Sequence, residues 1–228
     1  MSAGAALDTD LTRIVVGIIN CFAETQNGQE REQGFREVLL EDARVAGIYT
    51  VNVSTDRRAA RQAAEQLLRE HPDGRLRILR YPGSFNYAAI HNFAVPQADG
   101  EYLILLNNDT EVRSEGWIEE LLGLCQQDGV GVVGAKLYYP DGTIQHAGVV
   151  LGLCGVASHL FIGADGERDG YAGRLVSVQD YSAVTAACMM TRKAVYEQVA
   201  GMEESLAVAY NDIDYCMKLQ TAGWHVLF

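Results

Sequence analysis

The chain has 228 residues, 48% hydrophobic and 21% charged, enough for one sizeable globular domain. Its 30 acidic residues against 18 basic ones give a formal charge of −12, with no basic stripe, which argues against nucleic acid as a partner. Cys21, Cys125, Cys154, Cys188 and Cys216 are far apart and form no CxxC pair, which argues against a zinc site and for a reduced, cytoplasmic setting. Residues 1–12 lack the basic start and apolar core of a signal peptide.

Strands and helices are predicted to alternate. Ile14–Ile19 is a compact β-branched run and reads as a buried strand. Residues 29–46 carry Phe35, Val38, Leu39 and Val45 at roughly helical spacing, and Ile48–Val53 reads as a second strand. Asp56 caps a predicted helix with Ala60, Ala63, Ala64, Leu67 and Leu68 on its inner face. The turn His71-Pro72-Asp73-Gly74 leads into a short strand, Leu76–Leu79, and a helix follows from about Asn86 to Ala94. Next come a strand at Tyr102–Leu106, a helix capped by Ser114, and a strand at Val130–Val133. This order predicts an α/β domain with a mostly parallel central sheet flanked by helices.

Beyond residue 140 the pattern loosens. Gly148–Gly163, the longest apolar stretch, is broken by glycines, Ser158 and His159 and reads as core or loop, not a membrane span. Gly163–Gly173 holds four glycines and four charges and reads as a mobile lid. Helices are expected over Thr191–Val199 and Asn211–Ala222, ended by Gly201 and Gly223. Trp224–Phe228 reads as a last strand.

Two acidic motifs carry chemistry. Asn107-Asn108-Asp109 follows an apolar strand, and ligands of open α/β sheets bind beyond the carboxyl ends of the strands. Mg²⁺ takes oxygen ligands and is often held by one or two carboxylates plus substrate phosphates, so one Asp is enough chemistry there. The same residues equally suit a turn. Asn211-Asp212-Ile213-Asp214 reads either as a helix cap with carboxylates on the dipole or as a rigidly held general base. Gly129-Val130-Gly131-Val132-Val133-Gly134-Ala135 matches a dinucleotide fingerprint, but a helix precedes it and no helix follows, so the cofactor reading fails. His91, His146 and His159 show no HxxxH spacing and read as polar residues near a cleft wall.

Five segments occur in one order between Leu76 and Trp224: Arg80–Asn92 (RYPGSFNYAAIHN), Gly100–Val112, Val132–Gly152 (VVGAKLYYPDGTIQHAGVVLG), Thr185–Cys188 and Asn211–Asp214. Together they resemble the family 2 glycosyltransferases of GT-A fold, in particular the bacterial rhamnosyltransferase and O-antigen polysaccharide branch. The resemblance spans roughly two-thirds of the chain.

That resemblance implies an inverting transfer of a sugar from a nucleotide-diphosphate donor, a UDP- or dTDP-sugar, to a glycan or lipid-linked saccharide acceptor. It implies a metal-dependent enzyme using Mg²⁺ or Mn²⁺, held by Asp109 in the place of the family's DxD motif, where Asn107 stands for the first carboxylate. Asp212 would be the base and Asp214 would orient it. Asn52, Asp56, Asn86, Asn92, Asn107, Asn108 and Asp109 would bind the nucleotide sugar, and His146 and Thr185 would lie on the acceptor side. The implied organisation is one domain over residues 1–228: an atypical first βα unit (1–50), a nucleotide-binding part (51–136) and an acceptor-side part (137–228). A cytoplasmic location follows, with peripheral association at the inner membrane face.

The chain departs from the family pattern at Asn20-Cys21-Phe22-Ala23 and at Asn52, and it ends at Phe228, before a downstream His-containing segment. The alternative reading is a non-catalytic nucleotide-sugar-binding or scaffolding module of the same fold. A sugar-phosphate nucleotidylyltransferase would want a basic glycine-rich loop near the N-terminus, which Gly17-Ile18-Ile19-Asn20-Cys21 does not supply.

Overall fold

A computed structural model describes residues 14–20, 45–52, 76–79 and 81–228. The helices expected within residues 29–46 and after Asp56, the turn at 71–74, Asp56 itself and the side chain of Asn52 lie outside the described residues. Three strands come first: β1 (Ile14–Asn20), β2 (Val45–Asn52) and β3 (Leu76–Leu79). Helix α1 (Tyr87–Ala94), strand β4 (Tyr102–Asn107), helix α2 (Trp117–Cys125) and strand β5 (Val130–Gly134) follow. Two small antiparallel hairpins come next, β6 (Leu137–Tyr138) with β7 (Ile144–His146) and β8 (Val149–Leu151) with β9 (Ala157–His159). The chain closes with β10 (Cys188–Arg192), α3 (Lys193–Gln198), α4 (Asn211–Thr221) and β11 (His225–Leu227).

Among the described residues one seven-stranded sheet runs β11-β5-β10-β4-β1-β2-β3. All its pairings are parallel except those of β10, which is antiparallel to both β4 and β5. Both faces of the sheet are covered, and β4 shows how. Tyr102, Ile104 and Leu106 pack on one side with Ile118, Leu122 and Cys125 of α2. Leu103 and Leu105 pack on the other with Tyr196, Tyr215 and Leu219 of α3 and α4. The period of two along a strand divides one apolar run between two cores, which is why β4 is hydrophobic throughout.

The fingerprint-like glycines lie in β5, as their context predicts. A Cβ on Gly134 would stand 2.5 Å from Cβ of Val184, and one on Gly131 2.7 Å from Cβ of Trp224. These glycines admit close neighbours; they do not cradle a phosphate. Gly134→Ala should therefore lower stability by about 1–3 kcal/mol through overpacking. An unchanged denaturant midpoint would show that Val184 can move aside.

Four expectations are corrected. Residues 188–192 form a central strand, and the helix expected from Thr191 starts at Lys193. Thr191 is fully buried, and its hydroxyl donates to Gly131 O at 2.7 Å while Tyr215 Oη lies 2.9 Å away. A strand buried on both faces carries no alternating pattern to announce it. Helix α2 starts after Gly116, in the left-handed region at φ 72°, and is not capped by Ser114. Tyr210, at φ 65°, occupies the N-cap of α4; Asn211 is buried, and its amide donates to Leu206 O.

The segment 163–173 is tied down rather than lid-like. Gly163 and Ala164 exchange backbone hydrogen bonds with Ile144, Gly166 N–H donates to Gly142 O, and Lys136 Nζ donates to Gly166 O.

Candidate active site at the strand ends

The sheet register fixes where the first motif lies. Asn20 of β1 pairs with Asn52 of β2, and Ile19 with Asn107 of β4, so three strands end along one edge in asparagine. Asn107 then closes a turn: its carbonyl accepts the Thr110 hydroxyl at 2.7 Å and the Thr110 amide at 3.4 Å. The turn leaves Asp109 exposed at its tip and buries Asn108, which is 7% exposed. Turn and ligand-binding readings of this motif are thus compatible, because the turn is what presents the carboxylate.

Antiparallel β10 brings the second motif to the first. The Asn107 amide donates to Ala187 O at 2.8 Å, and one residue earlier the Ala186 amide donates to Asp212 Oδ2 at 3.2 Å. Asp212 Oδ1 accepts the Ile213 amide at 2.9 Å. The carboxylate is thereby oriented by two backbone donors at the first turn of α4, and each oxygen retains a free lone pair. Asn107, Thr185, Ala187, His159, Tyr210 and Asp212 share the wall of an open cleft of about 410 Å³. Tyr87, on the same wall, donates its hydroxyl to Ala186 O at 2.8 Å and pins the 185–187 segment.

His146 lies behind that wall and pairs with His159 on it. His146 is fully buried; its Nε2 accepts the Thr185 amide at 3.4 Å, and its Nδ1 lies 2.8 Å from Nδ1 of half-buried His159. Burial, reinforced by His159, lowers the His146 pKa to about 3. Burial also lowers that of His159, while the negative charge of Asp212 opposes the shift. His91, on α1, is buried and lowered to about 4 by desolvation, against the raising effect of its bond to Tyr87 O.

These shifts make a pH prediction. The folded chain keeps His91 and His146 neutral, whereas the unfolded chain takes up both protons near pH 6.5. The unfolded state therefore binds more protons below pH 6.5, and stability falls as pH drops from there toward about 4, by up to ~1.4 kcal/mol per unit per site. Denaturant midpoints between pH 7 and pH 4 should show this slope, reduced in His91→Leu; an equal slope in that variant would place the linkage elsewhere.

Several predicted site residues hold other positions. Asn92 has no polar atom left for a ligand: its Oδ1 accepts Tyr196 Oη and the Met202 amide, and its Nδ2 donates to Met202 O and Glu204 Oε1. Asn86 caps α1 through Oδ1 and donates to Glu204 O. Both tie α1 to the 202–204 segment and support the site from behind. Asp214, two residues from Asp212, lies on a different side of α4 and forms an ion pair with Lys218 at 3.0 Å. The Asp212 carboxylate is held instead by the Ala186 and Ile213 amides. Asn108 and Asp109 stand outside the cleft wall. Tyr87 is a cleft residue that sequence reasoning missed, whereas His159, read from sequence as near a cleft wall, lies on it and is carried there by the hairpin pairing with Val149.

Among the described residues no group of three or more His, Cys, Asp or Glu side chains could hold a metal ion by itself. Among the described residues the donor set at the end of β4 is one exposed carboxylate, Asp109, with neutral oxygens beside it. That suits a hard divalent cation arriving with a diphosphate, which supplies the remaining oxygens, and not a cation held by protein alone.

Comparison with known proteins gives the same architecture. Over 162 residues the chain is 40% identical to the O-antigen biosynthesis protein RfbC of Myxococcus xanthus, covering 71% of this chain and 13% of that protein's length. The chain thus spans well under a fifth of that relative. Among solved structures, the mannosyltransferase PcManGT from Pyrobaculum calidifontis in complex with GDP-Man and Mn²⁺ superposes with a TM-score of 0.67 at 13% identity, over 96% of this chain and 55% of that one. GalNAc-T7 with UDP, GalNAc and Mn²⁺ gives 0.71 at 13% identity, over 97% and 43%. The sequence family described as Glycosyl transferase family 2 matches residues 49–199. With the doubly covered sheet and the Asn107–Asp212 cleft, these matches show that the chain belongs to glycosyl transferase family 2 and has the GT-A fold.

Proposed function

We propose that this chain transfers a sugar from a nucleoside-diphosphate donor to a hydroxyl of a glycan or lipid-linked saccharide, with inversion at the anomeric carbon. The observation that carries the proposal is the cleft in which Asp212 and the end of β4 meet across Ala186–Ala187. In this reading the nucleotide lies over the ends of β1, β2 and β4. Asp212 takes the proton of the acceptor hydroxyl, whose oxygen bonds to the anomeric carbon as the bond to the diphosphate breaks. The nucleoside diphosphate leaves with that electron pair.

Asp109 is the residue that would hold Mg²⁺ or Mn²⁺; the cation, when bound, neutralises charge on the diphosphate. The chain's own residues do the rest. Backbone amides fix the Asp212 carboxylate, Tyr87 holds the 185–187 wall, and Thr185 lines the acceptor side of the cleft with buried His146 behind it. UDP- and dTDP-sugars are the donors proposed from the family branch, and the GDP-Man and UDP complexes of the structural relatives support a nucleotide sugar in general. No helix among the described residues is long and apolar enough to cross a membrane.

The deciding measurement is release of nucleoside diphosphate from UDP-, dTDP- and GDP-sugars with Mn²⁺, with and without a saccharide acceptor. Acceptor-stimulated release supports transfer. Saturable binding without any release would favour the non-catalytic module instead.

A further inference from the structure

The His146–His159 pair has a determined proton arrangement. A backbone amide can only donate, so the Thr185 N–H makes Nε2 of His146 an acceptor. A neutral imidazole has one donor and one acceptor nitrogen, and His146 is fully buried, so its proton resides on Nδ1. That N–H points at Nδ1 of His159, 2.8 Å away, and donates to it. The Nδ1 lone pair of His159 is then consumed, and its ring proton must be carried on Nε2, on the side of the ring away from His146. His159 lines the cleft with Asp212, Thr185 and Asn107.

We propose that His159 is a substrate-binding residue that presents a fixed Nε2–H donor to a saccharide hydroxyl beside Asp212, with His146 as the positioning residue that holds this tautomer. The inference rests on the glycosyl-transfer reading for the identity of the ligand, though not for the tautomer. The arrangement divides labour across the cleft. Asp212 offers only acceptor atoms and His159 only a donor, so a hydroxyl, which can donate and accept, satisfies both where an ammonium group or an ether oxygen satisfies one. Desolvation keeps both rings neutral, which preserves the pairing at ordinary pH. T-shaped packing of His146 on His159, with centroids 4.9 Å apart, and on Phe228 fixes the ring planes.

Nitrogen-15 NMR of the full chain labelled at histidine tests the tautomer directly. His159 should show a protonated Nε2 and an unprotonated Nδ1. His146→Leu should convert it to a tautomer mixture, and His146→Asn, whose amide nitrogen stands near the Nδ1 position, should restore the single tautomer. A protonated Nδ1 on wild-type His159 overturns the proposal.

UDP-glucose, dTDP-rhamnose, GDP-mannose and methyl α-rhamnoside, each with Mg²⁺, test the contact. The Nε2–H resonance should move with at least one sugar and not with bare UDP, dTDP or GDP. Movement with a nucleotide sugar assigns the transferred sugar, and movement only with the methyl glycoside assigns the acceptor. His159→Phe should raise the KM for that saccharide about tenfold and leave nucleotide affinity unchanged, and His159→Gln should recover most of it. A resonance unmoved by every sugar, or an unchanged KM in His159→Phe, overturns the proposal. If the wild type senses a saccharide at His159 yet releases no nucleoside diphosphate, the transfer reading fails and the binding role of His159 stands.

Discussion

Asp212→Asn should leave nucleotide-sugar binding within about threefold of wild type and reduce transfer by about 10²–10⁴-fold, the usual contribution of a positioned general base. The change is nearly isosteric. One amide oxygen can still accept a backbone N–H, from Ala186 or Ile213, while the new NH₂ faces the other donor and loses its bond. The expected cost in stability is thus one exchanged hydrogen bond, about 1 kcal/mol, far too small to explain a large loss of turnover. Single-turnover release of nucleoside diphosphate, beside a thermal melt, separates the two. A variant that still transfers at more than a tenth of the wild-type rate would remove Asp212 as the base. The same loss of rate in Asp214→Asn would show that the Lys218 ion pair, and not the cleft carboxylate, governs the chemistry.

Asp109→Ala should abolish the gain in nucleotide affinity that Mn²⁺ confers. Asp109 is exposed at the tip of the Asn107–Thr110 turn, so its loss should alter folding stability by no more than about 0.5 kcal/mol. Calorimetric titration with UDP, dTDP and GDP, with and without Mn²⁺, should show at least a tenfold metal-dependent difference in the wild type, about 1.4 kcal/mol, and none in the variant. Because Asp109 is a single exposed carboxylate among the described residues of that turn, Mn²⁺ alone should bind weakly to both. Tight binding of free Mn²⁺ would mean that a further ligand completes the site.

The sequence made the sheet legible wherever a strand had a compact apolar run, as in β1, β4 and β5, and wherever a glycine marked a helix end, as at Gly223 beyond α4. It hid β10, because Cys188–Arg192 is short, buried on both faces and immediately followed by a helix, so no period distinguishes strand from helix. That omission concealed a contact route that joins the two acidic motifs, since residues 186 and 187 bridge positions 107 and 212. Asp109 and Asp212 were found as motif residues, but motif membership misled at Asn86 and Asn92, whose amides serve the backbone of 202–204. Motif position records that a side chain is needed; it does not say whether a ligand or the protein needs it. His159 was legible only as a polar residue near a cleft wall; its pairing with His146, thirteen residues away across a hairpin, was not.

The antiparallel strand at the centre of the sheet also sets an order of events during synthesis. Leu106 pairs with Cys188, so more than eighty residues must leave the ribosome between the appearance of β4 and the arrival of its neighbour. Until then β4 and β5 present unpaired edges, the kind of exposed backbone that recruits other chains. Closing so distant a pairing is a slow, high-contact-order step. The cleft wall at 185–187 cannot exist before that step, so ligand recognition becomes a late event, and a chain released early is prone to aggregate rather than merely inactive.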